Sequence, residues 1–258
     1  MVIEAGFVEY MNYFLVLATG FVVGFINTLA GSGSLLTLPL LIWLGLDPLT
    51  ANGTNRIAIL MQGATGVYMF NRKGLYDLRH DLRYIIPAVV GSLPGAFIAV
   101  DLDKDAMQKV IAVVMLVMLV VMLINPQKRI KNAGVHFKGK SLLIVAIFFF
   151  IGMYGGFIQA GVGIFILAGL SLIAEMNLLR ANALKVLITM VFTIAVIPVF
   201  LLHGQVNWFY GILLGAGSMG GAVVSAKMAF RRGTPFLKFV LYTVILATAV
   251  YMLISNGR

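Results

Sequence analysis

Twice in this chain a glycine-rich, polar stretch interrupts strongly apolar sequence. The first runs Gly24-Phe25-Ile26-Asn27-Thr28-Leu29-Ala30-Gly31-Ser32-Gly33-Ser34, the second Gly156-Phe157-Ile158-Gln159-Ala160-Gly161-Val162-Gly163. Each is followed by a short apolar segment and then by an asparagine, Asn52 or Asn182. Lipid offers the backbone no hydrogen bonds, so irregular chain at membrane depth survives only where protein buries it or a cavity adjoins it. A pair of such breaks at matching positions in two halves points to a transporter's binding site.

The rest of the sequence is what a membrane demands. It is 61% hydrophobic and only 11% charged over 258 residues, against about 45–50% and about 25% in soluble domains. Its apolar runs are continuous, unlike the alternation of a barrel strand. The expectation is an all-α, polytopic helix bundle with spans near 8–28, 34–46, 54–70, 84–100, 107–124, 141–158, 164–178, 184–202, 208–226 and 236–254. The second and seventh are too short for a full crossing and read as half-helices of broken segments. With Glu4 and Glu9 near its start, the chain lacks the basic region of a secretory signal. It contains no cysteine.

The halves match in order. Gly24-Phe25-Ile26 pairs with Gly156-Phe157-Ile158, Gly31 and Gly33 with Gly161 and Gly163, and Ala51-Asn52 with Ala181-Asn182. Gly91-Ser92-Leu93-Pro94-Gly95-Ala96 then pairs with Gly217-Ser218-Met219-Gly220-Gly221-Ala222, and Met122-Leu123-Ile124 with Met252-Leu253-Ile254. This predicts two repeats, 1–127 and 141–258, joined by a basic linker at 128–140.

The net charge of +10 invites a nucleic-acid reading, but the distribution of charge excludes it. Fifteen of nineteen Lys and Arg fall in four groups: Arg72, Lys73, Arg79 and Arg83; Lys128, Arg129, Lys131, Lys138 and Lys140; Arg180 and Lys185; Lys227, Arg231, Arg232 and Lys238. Read as loops, these are the positive-inside pattern. The loop after the third span is basic while its counterpart at 203–207 has no Lys or Arg. The loop after the fourth is acidic (Asp101, Asp103, Asp105) while its counterpart at 227–232 is basic. Matching loops on opposite sides mean inverted repeats with about five spans each. Both termini are then extracytoplasmic and the location is the inner membrane.

Candidate site residues follow from the breaks. A helix starting after Gly31-Ser32-Gly33-Ser34 directs free N–H groups and its positive dipole end into the break, where an anion is favoured. Ser32 or Ser34 is expected to cap it. Gly161 and Gly163 offer the same geometry from the other side, and Asn27 and Gln159 stand beside the two breaks. The alternative is that these glycines serve only close helix packing, as Gly20/Gly24, Gly91/Gly95, Gly152/Gly156 and Gly217/Gly221 do. Asn52 and Thr54 read as caps of the third span. Asn52, Asn55, Asn182 and Lys185 read equally as hydrogen-bond donors to a substrate. Arg56, just inside an apolar span, is a functional candidate or an interfacial side chain whose head reaches water. Gln62 reads as a bridge between helices.

Enzyme chemistry finds no support. His80, His136 and His203 have no partner at ligand spacing, and there is no nucleophile elbow or phosphate-binding loop. No catalytic residue, metal or cofactor is expected. No acidic residue lies in mid-span, so no carboxylate proton relay is visible.

The run Asn27-Thr28-Leu29-Ala30-Gly31-Ser32-Gly33-Ser34-Leu35-Leu36-Thr37-Leu38-Pro39-Leu40-Leu41, then Gly45, then Ala51-Asn52-Gly53-Thr54-Asn55, resembles the signature of the sulfite exporter TauE/SafE family, also called the 4-toluene sulfonate uptake permeases. The resemblance covers the whole chain. The second break departs from it, with Ile164-Phe165 after Gly163 and Gly169 where the first half has Pro39. The resemblance implies transport of a small sulfur oxyanion or organosulfonate across the bilayer, most simply sulfite export by alternating access, in a monomer or homodimer. Import of an organosulfonate or thiosulfate coupled to protons or another ion, a channel, and a non-transporting membrane scaffold or subunit are the alternatives.

Overall fold

A computed structural model describes residues 2–29, 31–124 and 141–255; the expected basic linker and His136 lie outside them. The regular structure among these residues is helical: α1 (Val2–Leu29), α2 (Ser34–Trp43), α3 (Pro48–Asn71), α4 (Leu78–Val100), α5 (Lys104–Ile124), α6 (Ser141–Phe157), α7 (Val162–Ala168) with a π-helical turn (Gly169–Ile173), α8 (Leu178–Leu202) and α9 (Trp208–Ser255). Among the described residues, four stretches are long and apolar enough to cross a membrane: Tyr10–Leu29, Leu78–Val100, Leu178–Leu202 and Trp208–Arg231. At about 1.5 Å per residue, the 10-residue α2 and the 12 residues from Val162 to Ile173 reach only part of the way across, as half-helices do.

Asx residues start five of the helices. Asp47 accepts hydrogen bonds from the N–H groups of Leu49 and Thr50, with Pro48 at the first helical position, and so opens α3. Asn177 accepts from the N–H of Arg180 at 2.9 Å and opens α8. Asp77, Asp103 and Asn207 do the same for α4, α5 and α9. An Asx acceptor followed by proline is a stronger start signal than an asparagine further on. Asn52 and Thr54 are therefore not caps: they lie inside α3, and Asn182 lies inside α8. The hydroxyl of Thr54 instead accepts from the N–H of Asn207 at 2.8 Å.

The four glycine pairs are used, all at helix seams. Gly20 and Gly24 of α1 lie against Leu214 and Ser218 of α9, and Gly217 and Gly221 of α9 against Leu17 and Phe21 of α1. Gly91 and Gly95 of α4 lie against Phe149 and Met153 of α6, and Gly152 and Gly156 of α6 against Ala88 and Ser92 of α4. At each position an added Cβ would collide with a backbone carbonyl. Helices gain no hydrophobic drive from lipid, so such backbone approach is how they hold one another. The hydroxyls of Ser218 and Ser225 donate to Gly20 O and Phe25 O, at 3.0 and 2.9 Å, and pin the α1–α9 seam.

The last helix departs from expectation. The ninth and tenth expected spans are one unbroken helix, because Lys227 to Arg232 carry charge but are good helix formers with no cap among them.

Candidate functional site

Both breaks end a helix whose last carbonyls are buried, and buried carbonyls need donors. The donors come from the other half of the chain. At the end of α6, the guanidinium of Arg56 donates to Gly155 O (3.2 Å), Gly156 O (2.6 Å) and Phe157 O (3.4 Å), and Asn52 Nδ2 adds a bond to Phe157 O at 3.0 Å. At the end of α1, Lys185 Nζ donates to Asn27 O (2.9 Å) and Thr28 O (3.2 Å), and to Asn182 Oδ1 (2.8 Å). A cation at a helix C-terminus also meets the negative end of the dipole.

Arg56 is fully buried and lies over the Phe200 ring, 4.2 Å from its centroid. It does not reach for the interface. Lys185 likewise is buried, so it is not the loop residue its place among the basic groups suggests.

After each break the chain turns through a glycine in the left-handed region, Gly31 at φ 79° and Gly161 at φ 72°. No side chain caps α2. Its N-cap is Gly33, whose N–H donates to Asn27 Oδ1 at 2.6 Å. Ser32 and Ser34 are buried without capping, and the Ser32 hydroxyl has no partner. The expected serine cap is replaced because Asn27 reaches back across the break. Its Nδ2 donates to Gln62 Oε1 at 3.3 Å, and in the second half Gln159 Nε2 donates to Thr193 Oγ1 at 2.7 Å.

The two breaks meet at Gly31 and Gly163. Beside that contact is a cavity of about 20 Å³, lined by Asn27, Gly31, Ser34, Gln62, Gln159, Gly163 and Lys185 together with Ile59, Gly63, Val162, Val186 and Thr189. It has room for about one water. Among the described residues, Lys185 is its one ionisable residue and no carboxylate lines it.

Of the residues expected from sequence, Asn27, Gly31, Ser34, Gln159, Gly163 and Lys185 line the cavity. Ser32, Gly33 and Gly161 shape the breaks behind it. Asn182 reaches it only through Lys185. Asn52, Asn55 and Arg56 do not line it: two hold α6, while Asn55 Oδ1 accepts from the Thr37 hydroxyl at 2.7 Å and ties α3 to α2. Gln62 is more than a bridge, since it faces the cavity. Thr189 and its neighbour one turn on, Thr193, are additions; hydroxyls four residues apart on one face of an apolar helix are the signal for them.

The family model for sulfite exporter TauE/SafE matches residues 16–252. The chain is 28% identical over 245 residues to a probable membrane transporter protein of Haemophilus influenzae, covering 94% of this chain and 95% of that one. It is 26% identical over 234 residues to the probable membrane transporter protein ORF9 of a Sinorhizobium species, covering 90% and 89%. It is 24% identical over 236 residues to the probable membrane transporter protein YfcA of Escherichia coli K12, covering 91% and 87%. No solved structure matches the chain. With the match running through both breaks and both halves, this chain belongs to the sulfite exporter TauE/SafE family of membrane transporters.

Proposed function

We propose that this protein moves a small sulfur-containing anion, with sulfite export as the leading case, by alternating access, in a fold of two inverted repeats whose termini are extracytoplasmic. The observation that carries this reading is the small cavity where the two breaks meet, with one lysine and three side-chain amides at its wall. The reciprocal caps, Arg56 on α6 and Lys185 on α1, support the inverted repeat.

All three protons of the Lys185 ammonium are engaged by acceptors in this conformation. An arriving anion competes with the α1 carbonyls for them. Binding therefore frees the end of α1 and couples occupancy to movement of the break. Among the described residues that line the cavity, Lys185 is then the one group able to exchange a proton, and no carboxylate relay stands beside it. An inside-negative potential suffices to drive export, at about 2.3 kcal/mol per charge per 100 mV.

The test is sulfite flux into and out of proteoliposomes at clamped potential, alongside sulfate, thiosulfate and sulfoacetate. Voltage-dependent flux of a sulfur oxyanion is expected; flux of none of them ends the proposal. Flux only with a proton gradient would replace uniport by coupled import.

A further inference from the structure

About 15 Å along α3 from Gln62, at roughly 1.5 Å per residue, is a second and much larger pocket. It has a volume of about 460 Å³ and is lined by Met69, Arg72, Lys73, Lys227, Phe230 and Arg231. We propose that this pocket binds the headgroup of an anionic phospholipid, best of all one carrying two phosphates.

The argument begins with charge. Arg72 and Lys73 stand at the end of α3, while Lys227 and Arg231 are one turn apart on α9. These are four cations around one opening, and none pairs with an acid among the described residues. Two of them lie near rings instead: Lys73 Nζ is 5.6 Å from the centroid of Phe230, and Arg72 is 6.0 Å from that of Tyr68. Unpaired cations clustered between helices at the basic end of a bundle are what an anionic headgroup seeks.

The floor is built and apolar. Phe70 and Phe230 meet edge to face at 5.3 Å, and Phe70 packs with the buried Ala183, Val186 and Ala226. The walls at Met69 and Phe230 suit the glycerol and upper acyl chain of a lipid rather than a free, fully hydrated ion. Tyr68, 61% exposed, flanks the opening as aromatic residues do at a membrane interface. Two cations on each helix match two phosphates.

The experiment uses the full chain purified in neutral detergent. Native mass spectrometry and thermal unfolding are read after adding cardiolipin, phosphatidylglycerol, phosphatidylcholine or inorganic phosphate. The expected result is retention and stabilisation in the order cardiolipin, phosphatidylglycerol, phosphatidylcholine, with millimolar phosphate giving no comparable shift. Lys73→Gln with Arg231→Gln weakens lipid retention about tenfold or more, and the exchange Lys73→Arg with Lys227→Arg keeps it. Equal retention of phosphatidylcholine by the wild-type protein overturns the proposal whether or not the variant folds. Full cardiolipin retention by a folded variant overturns it too, and an equal shift with phosphate makes the pocket an anion site instead. None of these outcomes depends on whether sulfite is carried.

Discussion

Gly31 and Gly163 touch backbone to backbone: a Cβ built on either lies 2.5 Å from the other's Cα. The contact joins the two breaks and closes one wall of the cavity, so it is both a packing point and part of the site.

Adding a methyl group there separates the breaks. Gly163→Ala should cost about 1–3 kcal/mol by overpacking, and Gly31→Ala more, because φ is 79° there. Gly45→Ala is the control. Gly45 also has a left-handed φ, 93°, but open space around its Cβ, so only the backbone term, about 1 kcal/mol, is lost. Thermal unfolding in detergent orders the three; a Gly163→Ala protein as stable as wild type would show that the breaks do not bear on each other.

The two cations should separate in their effects. Arg56 gives three bonds to carbonyls and lies outside the cavity, so Arg56→Gln should lower stability by about 3 kcal/mol or more. Lys185 lines the cavity, so Lys185→Gln should lower anion flux at least tenfold while the protein still elutes as a folded species. Flux unchanged in folded Lys185→Gln would remove the lysine from the transport cycle.

These two partnerships mark the limit of what the sequence discloses. The breaks, the half-helices and the glycine seams are legible because their signals are local: spacing, length and small residues. The targets of Arg56 and Lys185 are backbone carbonyls about 100 and 158 residues away, and a carbonyl has no residue-type signature. Arg56 at the edge of an apolar run reads equally as interfacial or internal, and only the position of α6 decides. The helix starts were available in Asp47-Pro48 and Asn177, but Asn52 and Asn182, aligned by the repeat, are the more conspicuous residues. The unbroken α9 is hidden because a cluster of charge marks a loop by habit, yet charge alone does not end a helix.

Asp47 provides a pH signature outside the membrane-spanning segments. Partial burial pushes its pKa up, but hydrogen bonds from the Thr50 hydroxyl and N–H, with Lys104 at 3.9 Å, outweigh that and leave it below 3.8. A carboxylate with a depressed folded pKa stabilises above its unfolded pKa and loses that contribution as pH falls through the folded value. Asp47→Ala should therefore cost about 1 kcal/mol at pH 7, and the gap to wild type should close as pH falls below about 3.8. A gap independent of pH in thermal unfolding would show that the charge is not involved.

Asp81, fully buried in the first turn of α4, pairs with Arg180 at 3.3 Å, in the first turn of α8. Removing one partner leaves a buried charge; removing both does not. Arg180→Gln should thus destabilise more than the double variant Asp81→Asn with Arg180→Gln, giving a coupling of about 0.5–3 kcal/mol. Additive effects in the four-member cycle would show that the two charges do not support each other.

The seams at the glycine pairs constrain the mechanics of any transport cycle. The α1–α9 seam ties the first half to the second, and so does the α4–α6 seam; in both, carbonyls occupy the space a Cβ would need. A rocking of one half against the other would tear both at once. A cycle that keeps both seams must carry α1 with α9 and α4 with α6. Such a cycle cannot part residues 2–124 from residues 141–255 along the line that divides the chain in sequence.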